Sequence, residues 1–126
     1  MSTAKVRILV AEDEPRYIWA IQTNLEARGY AVLTAEDGEA ALAVAASCSQ
    51  PIQLLLTDIV MPGMNGRDLA TALESLRPNI RHLFMSGYPA EVIANRCVID
   101  EGVSFIQKPF RIAELADKVR EVMDGA

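Results

Sequence analysis

The sequence predicts a doubly wound α/β fold, in which a parallel sheet of five strands is covered by helices on both faces. Short apolar runs alternate with segments of helical periodicity five times along the chain, as is typical of βαβ units. Two of the runs, 6–11 and 53–56, are almost entirely apolar, as expected for strands that are buried on both faces. The 126 residues match the size of one domain, so we predict a single domain over 1–126.

Each predicted strand is a short, mostly apolar run bounded by turn-forming or charged residues. The first strand stops at an acidic stretch that begins with Glu12, and the third ends in Asp58 before a loop bracketed by Gly63 and Gly66. The third strand is the most apolar of the five, so a carboxylate at its end needs an explanation. The predicted strands span 5–11, 31–35, 52–58, 80–86 and 103–107.

The predicted helices begin and end at residues that favour such boundaries. Pro15 suits the first turn of the first helix, and Gly29 suits its C-terminal end. Pro51 and Pro78 stop the second and third helices, since proline cannot continue a helix. The remaining predicted helices span 40–48, 67–76, 90–100 and 112–124.

Composition excludes several classes of protein. A net charge of −5 argues against nucleic acid as a direct partner, because phosphates are bound by Lys and Arg. Cys48 and Cys97 lack the spacing of metal ligands, so we predict two ordinary thiols in a reducing compartment. No apolar run reaches membrane-spanning length, and the N-terminus has no signal-peptide pattern. We therefore expect a cytoplasmic protein without membrane contact.

Chemically active side chains stand where the predicted strands end. The first strand is followed by Glu12 and Asp13, the third ends in Asp58, the fourth ends in Ser86, and the fifth is followed by Lys108. Right-handed crossovers bring the carboxyl ends of parallel strands to one edge of a sheet, and ligands bind outside that edge. We therefore expect three carboxylates, a hydroxyl and an amine to converge there.

This combination of side chains suits phosphoryl transfer. Three carboxylates that lie close together repel each other unless a cation neutralises them, and oxygen ligands favour Mg²⁺. Lys108 and Ser86 would bind phosphoryl oxygens as cation and hydrogen-bond donor. Asp58 would then be the nucleophile that carries the phosphoryl group.

Four motifs at these positions carry a resemblance to a known family. They are VAEDEP, LLLTDIVMPGMNG, FMSGY and FIQKPF, in this order along the chain. With them the sequence resembles a response-regulator receiver domain of two-component signalling, over about residues 5 to 124. The segments MSGYP and DEGVSFIQKPF are most similar to receivers of hybrid sensor histidine kinases.

The resemblance implies a flavodoxin-like fold with strand order 2-1-3-4-5 and a magnesium-dependent phosphoacceptor site. It implies that Glu12 and Asp13 help to bind Mg²⁺, with the backbone carbonyl of Val60 as a further ligand. Asp58 would accept the phosphoryl group from a histidine kinase or a histidine phosphotransfer domain, possibly within the same polypeptide.

The resemblance also assigns roles at strands four and five. Ser86 and Lys108 would contact the phosphoryl group, and Phe105 matches the family's switch aromatic. The bond between Lys108 and Pro109 is expected to be cis. Two residues differ from the commoner pattern, since Glu12 replaces Asp and Ser86 replaces Thr, and neither change breaks the mechanism.

Three other functions compete with this interpretation. A phosphohydrolase with an aspartyl nucleophile usually has a second acid two residues after it, where this chain has Val60. A carrier of flavin mononucleotide would have a phosphate-binding loop after the first strand, where this chain has the acidic AEDEP. A degenerate receiver used only for binding would not be expected to keep the full set of site residues.

Structural roles are expected for several conspicuous residues. His82, the single histidine, is predicted to be a partly exposed residue near the start of the fourth strand, away from Asp58. Tyr17 and Trp19 flank an apolar stripe in the first helix and are expected to be a half-buried edge of the core, with a partner surface as the alternative. Met61 and Met64 are expected to pack in the loop after Asp58.

Overall fold

The computed structural model describes residues 5–87 and 104–124. Five parallel strands form one sheet in the order β2-β1-β3-β4-β5, which confirms the predicted doubly wound, flavodoxin-like fold. The strands are β1 Arg7–Ala11, β2 Ala31–Ala35, β3 Leu54–Asp58, β4 Arg81–Ser86 and β5 Phe105–Gln107. The described helices are α1 Pro15–Ala27, α2 Gly38–Ser47, α3 Gly66–Leu76 and the final helix, here α4, Ile112–Met123. The helix predicted over 90–100, with Cys97, lies outside the described residues.

The boundaries of the elements follow local hydrogen bonding. α1 begins at Pro15 as predicted, and Gly29 follows its end with a positive φ of 96°. α2 begins two residues earlier than predicted, because the Asp37 side chain caps it by accepting a hydrogen bond from the Ala40 N–H at 2.8 Å. β3 begins at Leu54, two residues later than predicted.

The sheet separates two apolar clusters, one on each face. Strand side chains point alternately to the two faces, so Ile8 and Val10 join one cluster while Leu9 and Ala11 join the other. On the first face α1 and α4 contribute Ile21, Leu25, Leu115 and Val119. On the second face α2 and α3 contribute Ala41, Ala45, Leu69 and Leu73. All five residues of β3 are buried, so Asp58 sits at the end of the most enclosed strand.

The expectations for packing are confirmed in part. Met61 is buried and Met64 packs against the second cluster, as predicted. Tyr17 is partly buried against the first cluster, but Trp19 is 69% exposed, so the prediction that Trp19 is half-buried was wrong. Tyr17, Ile21 and Leu25 recur every four residues and share one face of α1, whereas Trp19 is about 200° of helix rotation from Tyr17.

None of the helices among the described residues combines the length and the apolar character needed to cross a membrane.

Candidate phosphoacceptor site

The predicted site residues lie at the carboxyl edge of the sheet. Glu12 and Asp13 follow β1, Asp58 is the last residue of β3, Ser86 is the last residue of β4, and Lys108 follows β5. The register of the sheet pairs Asp58 with Met85 and Ser86 with Gln107. The strand ends therefore meet at one edge, as the sequence predicts.

Three carboxylates form an acidic cluster at this edge. One carboxylate oxygen from each of Glu12, Asp13 and Asp58 lies within 4.8 Å of the other two. Glu12 is fully buried, Asp58 is 8% exposed, and Asp13 is exposed. The cluster thus combines two enclosed carboxylates with one that faces solvent.

Glu12 is held in place through both carboxylate oxygens. Its Oε2 accepts hydrogen bonds from the backbone N–H groups of Asp13 at 2.8 Å and Glu14 at 3.2 Å. Its Oε1 accepts a hydrogen bond from the Lys108 ammonium. The longer side chain of Glu12 is therefore folded back onto the start of α1 while it still contacts Lys108.

Lys108 joins the two buried carboxylates. Its Nζ donates to Glu12 and also to Asp58 Oδ2, the latter at 3.2 Å, and its side chain is only 13% exposed. The same Nζ lies 4.3 Å from the centroid of the Tyr17 ring. One ammonium therefore offsets part of the negative charge of the cluster.

The pKa values of Glu12 and Lys108 are both raised. Burial is the largest influence on Glu12 and, with the charge of Asp58, it outweighs the opposing effect of Lys108, so the pKa of Glu12 rises from 4.5 to about 7. Burial alone would lower the pKa of Lys108, but the contacts with Glu12 and Asp58 outweigh burial and raise it. Lys108 therefore stays charged. Its single positive charge does not balance the negative charge of the acidic cluster.

The raised pKa of Glu12 predicts that stability falls as pH rises in metal-free buffer. The folded state binds the Glu12 proton more tightly than the unfolded chain does. Glu12 therefore contributes stability that is fully present below pH 4.5 and is lost as pH rises to about 7. The loss in the free energy of unfolding corresponds to about 3 kcal/mol. Urea unfolding of wild type and Glu12→Gln with a chelator, at several pH values between about 4.5 and 8, would measure it.

The comparison with Glu12→Gln isolates this effect from other titrating groups. The pKa of His82 is lowered by burial, against the opposing charge of Glu74, so its contribution to stability is lost as pH falls below 6.5. That opposite trend is common to both proteins and cancels in the difference. Parallel pH profiles for wild type and Glu12→Gln would contradict the prediction.

The loop after Asp58 holds the carboxylate on a fixed backbone. The Ile59 N–H donates to the Met85 carbonyl at 2.9 Å, and the Gly66 N–H donates to the Ile59 carbonyl at 2.8 Å. A Cβ atom at Gly66 would clash with the Asp58 carbonyl oxygen, so only glycine fits this position. The two glycines that bracket the loop differ, since Gly63 instead has a positive φ of 77°.

Ser86 and Phe105 lie on β4 and β5, and Val60 lies in the loop that follows Asp58. Ser86 is 1% exposed, and its carbonyl accepts a hydrogen bond from the Lys108 N–H at 2.8 Å. Phe105 is partly buried and packs against the second cluster. Val60 follows Asp58 by two residues, and its side chain is exposed. Their functional roles remain predictions.

Two further expectations concern the ends of β4 and β5. The bond between Lys108 and Pro109 is cis, as the family resemblance implies. His82 is partly buried and pairs with Leu55 of β3, three positions before the Asp58–Met85 pair, which agrees with a structural role away from the site. Tyr17 contacts Lys108, a role that sequence reasoning missed because Tyr17 was expected only to flank the apolar stripe of the first helix.

Comparisons with known proteins agree with this geometry. A model of the response regulator receiver domain family matches residues 8–120. The chain belongs to this family. As a receiver domain it is a regulatory module of two-component signalling, and nothing in its relatives favours the phosphohydrolase.

The receiver domain is similar to proteins of two different lengths. It is 32% identical to the sensor kinase CckA of Brucella abortus over 93% of this chain, but it spans only 12% of that protein. It is 31% identical to the response regulator receiver protein CpdR of the same organism, over 95% of this chain and 98% of that protein.

Solved structures show the same fold. The receiver domain of the hybrid histidine kinase CckA is 36% identical, with a TM-score of 0.78 over 93% of this chain and 98% of that one. A response regulator receiver protein from Sinorhizobium medicae is 25% identical, with a TM-score of 0.83 over 98% of each chain.

Proposed function

We propose that this receiver accepts a phosphoryl group on the carboxylate of Asp58. The observation that carries the proposal is the position of Asp58, which ends a fully buried strand, belongs to the acidic cluster and is paired with Lys108. A carboxylate oxygen of Asp58 would attack the phosphorus of a phosphohistidine. The new P–O bond forms as the P–N bond breaks, and the imidazole leaves and takes up a proton.

The proposed donor is a histidine kinase or a histidine phosphotransfer domain, in the cytoplasm where ATP supplies such kinases. The domain would catalyse only its own phosphorylation and slow dephosphorylation. Efficient turnover of substrates is not expected, because the position two residues after Asp58 holds no acid. Val60 occupies it, with an exposed apolar side chain.

We propose that Glu12, Asp13 and Asp58, with the Val60 carbonyl, hold Mg²⁺. The residues fit this ion, since they offer hard oxygen ligands and since the three clustered carboxylates share a single lysine partner, Lys108, among the described residues. When bound, Mg²⁺ would neutralise charge on the carboxylates and on the phosphoryl oxygens. The partial exposure of the cluster through Asp13 would leave room for its water ligands.

Ser86 and Phe105 are the proposed switch. The Ser86 hydroxyl would donate a hydrogen bond to a phosphoryl oxygen, and the Lys108 ammonium would donate to another. Phe105 of β5 pairs with Phe84 of β4, so these two side chains point to the same face of the sheet. Ser86 follows Phe84 by two residues and therefore points to that face as well. A change at Ser86 would therefore reach the Phe105 ring through packing and bias a two-state surface.

Labelling with a small phosphodonor tests the proposed function. The receiver is incubated with phosphoramidate and Mg²⁺ and its intact mass is measured, and one phosphoryl group should be added. Chelation by EDTA should block the reaction, and hydroxylamine should remove the adduct as it does other acyl phosphates. Borohydride reduction followed by peptide sequencing should place the modification at Asp58.

Two outcomes would contradict the proposal. One is the absence of any adduct under conditions that label a control receiver. The other is rapid turnover of a phosphate ester without a stable adduct, which would favour the aspartyl-nucleophile phosphohydrolase instead.

A further inference from the structure

The Lys108 ammonium is enclosed by three groups, one of which lies outside the acidic cluster. Two are the carboxylates of Glu12 and Asp58, and the third is the aromatic ring of Tyr17, whose centroid lies 4.3 Å from Nζ. A cation within about 6 Å of a ring centroid is attracted by the negative face of the ring. Since the Lys108 side chain is only 13% exposed, water screens this attraction weakly.

The Tyr17 ring is itself fixed in place. It belongs to the first turn of α1 and shares the buried face of that helix with Ile21 and Leu25. Its centroid lies 5.9 Å from that of Phe110 with the two ring planes tilted by 56°, a favourable geometry for an aromatic pair. Phe110 follows Lys108 by two residues, so the ring connects α1 to the segment that carries the lysine.

We propose that Tyr17 is a positioning residue for the phosphoryl transfer, whose ring holds the Lys108 ammonium beside Asp58. A lysine has four flexible side-chain bonds, so its ammonium has a well-defined position only where surrounding groups restrict it. The carboxylate of Asp58 loses its charge when it becomes an acyl phosphate, and its attraction for Lys108 then weakens. The ring keeps its attraction through the reaction and leaves the N–H donors of Lys108 free to turn to a phosphoryl oxygen. This inference rests on the proposed function.

A purely structural role for Tyr17 makes a different prediction from this one. Leucine at position 17 would keep an apolar side chain against the first cluster but would remove the aromatic face. Phenylalanine would keep the face and remove only the hydroxyl, which the proposal does not use. Tyr30 offers a matched control, because it also packs partly buried against the first cluster but precedes β2 at the opposite edge of the sheet.

The test measures the rate constant for labelling by phosphoramidate at saturating Mg²⁺. Tyr17→Leu should be slower than wild type by about 5- to 30-fold, and Tyr17→Phe should restore most of the rate. Tyr30→Leu should label like wild type. In a Lys108→Met background, Tyr17→Leu should cause no further decrease, because the cation that the ring holds is gone.

A spectroscopic measurement reports the contact directly. The ring current of Tyr17 should displace the proton resonances at Cε of Lys108 upfield in wild type and in Tyr17→Phe, and the displacement should be lost in Tyr17→Leu. Thermal unfolding of each variant confirms that it is folded under the assay conditions. If one variant does not fold, the Tyr17→Phe comparison and the Lys108 resonances of wild type still test the contact.

Three results would overturn the proposal. They are equal labelling of Tyr17→Leu and wild type, an equal loss in Tyr17→Phe and Tyr17→Leu, and an undiminished effect of Tyr17→Leu in the Lys108→Met background. Failure of wild type itself to be labelled would instead contradict the proposed function, so the two failures are distinguishable.

Discussion

Asp58→Asn is expected to abolish labelling of the receiver by phosphoramidate and Mg²⁺. Asparagine matches the shape of aspartate, but its amide is not a nucleophile and cannot form an acyl phosphate. The buried neighbouring carboxylate is a poor substitute, since Glu12 already binds Lys108 and two backbone N–H groups. Intact mass spectrometry over a long time course should therefore detect no adduct.

The loss of a metal ligand must be separated from the loss of the nucleophile. Asp13→Asn should also slow the labelling by weakening Mg²⁺ binding, but excess Mg²⁺ should restore much of its rate, whereas it should restore nothing in Asp58→Asn. Asp68→Asn makes the same chemical change in the exposed first turn of α3 and should label like wild type. Full labelling of Asp58→Asn would mean that another residue carries the phosphoryl group.

The position of the site could be predicted from the sequence because topology alone determines it. In a parallel sheet, residues that end successive strands reach the same edge whatever the lengths of the intervening segments. Asp58 and Lys108 are separated by 50 positions, and still Asp58 Oδ2 lies 3.2 Å from Lys108 Nζ. This rule needs only the strand ends, and errors of two residues at the start of β3 or β5 did not affect it.

The packing around α1 could be predicted less well because it depends on the rotation of the helix. Two sets of residues in α1 are compatible with a buried stripe. One is Ile18, Ile21 and Leu25, and the other is Tyr17, Ile21 and Leu25. The structure buries Ile21 and Leu25 and places Tyr17 over Lys108, which leaves Trp19 on the far side, exposed. The spacing of four residues between Tyr17, Ile21 and Leu25 was a signal that could have favoured the second set.

The burial of Glu12 depends on contacts that no sequence pattern specifies. Its carboxylate is enclosed where the chain turns from β1 into α1, and two backbone N–H groups of this turn donate to Oε2. The raised pKa of Glu12 follows from that enclosure rather than from the acidic motif, because Asp13 in the same motif remains exposed. Sequence reasoning predicted repulsion within the cluster, but it could not say which acid would be buried.

Lys108→Met is expected to slow labelling by about 10²- to 10³-fold, the effect typical of removing one donor that stabilises developing charge. Methionine has nearly the length of lysine and fills the space beside Tyr17, but it cannot donate to a phosphoryl oxygen. Lys118→Met is the matched control, since Lys118 lies on α4 and pairs only with nearby Glu121 at 3.6 Å among the contacts described. Its rate should equal that of wild type.

The same substitution should also lower the stability of the fold, by an amount that grows with pH. Without Lys108 the fully buried carboxylate of Glu12 loses its cationic partner, and an unpaired buried charge costs about 3–5 kcal/mol. Because contact with Lys108 lowers the pKa of Glu12, removing it should raise that pKa further, so Glu12 is protonated and the cost is small at acidic pH. Urea unfolding should show Lys108→Met much less stable than wild type near pH 8 and less destabilised near pH 5, where mainly the pair with Asp58 is lost. Added Mg²⁺ should recover part of the stability at the higher pH, because it supplies a positive charge to the same carboxylates.

The labelling rate of Lys108→Met decides whether this lysine acts on the phosphoryl group. A rate within about threefold of the wild-type rate, far from the loss expected for removing such a donor, would show that the Lys108 ammonium does not act on the phosphoryl group.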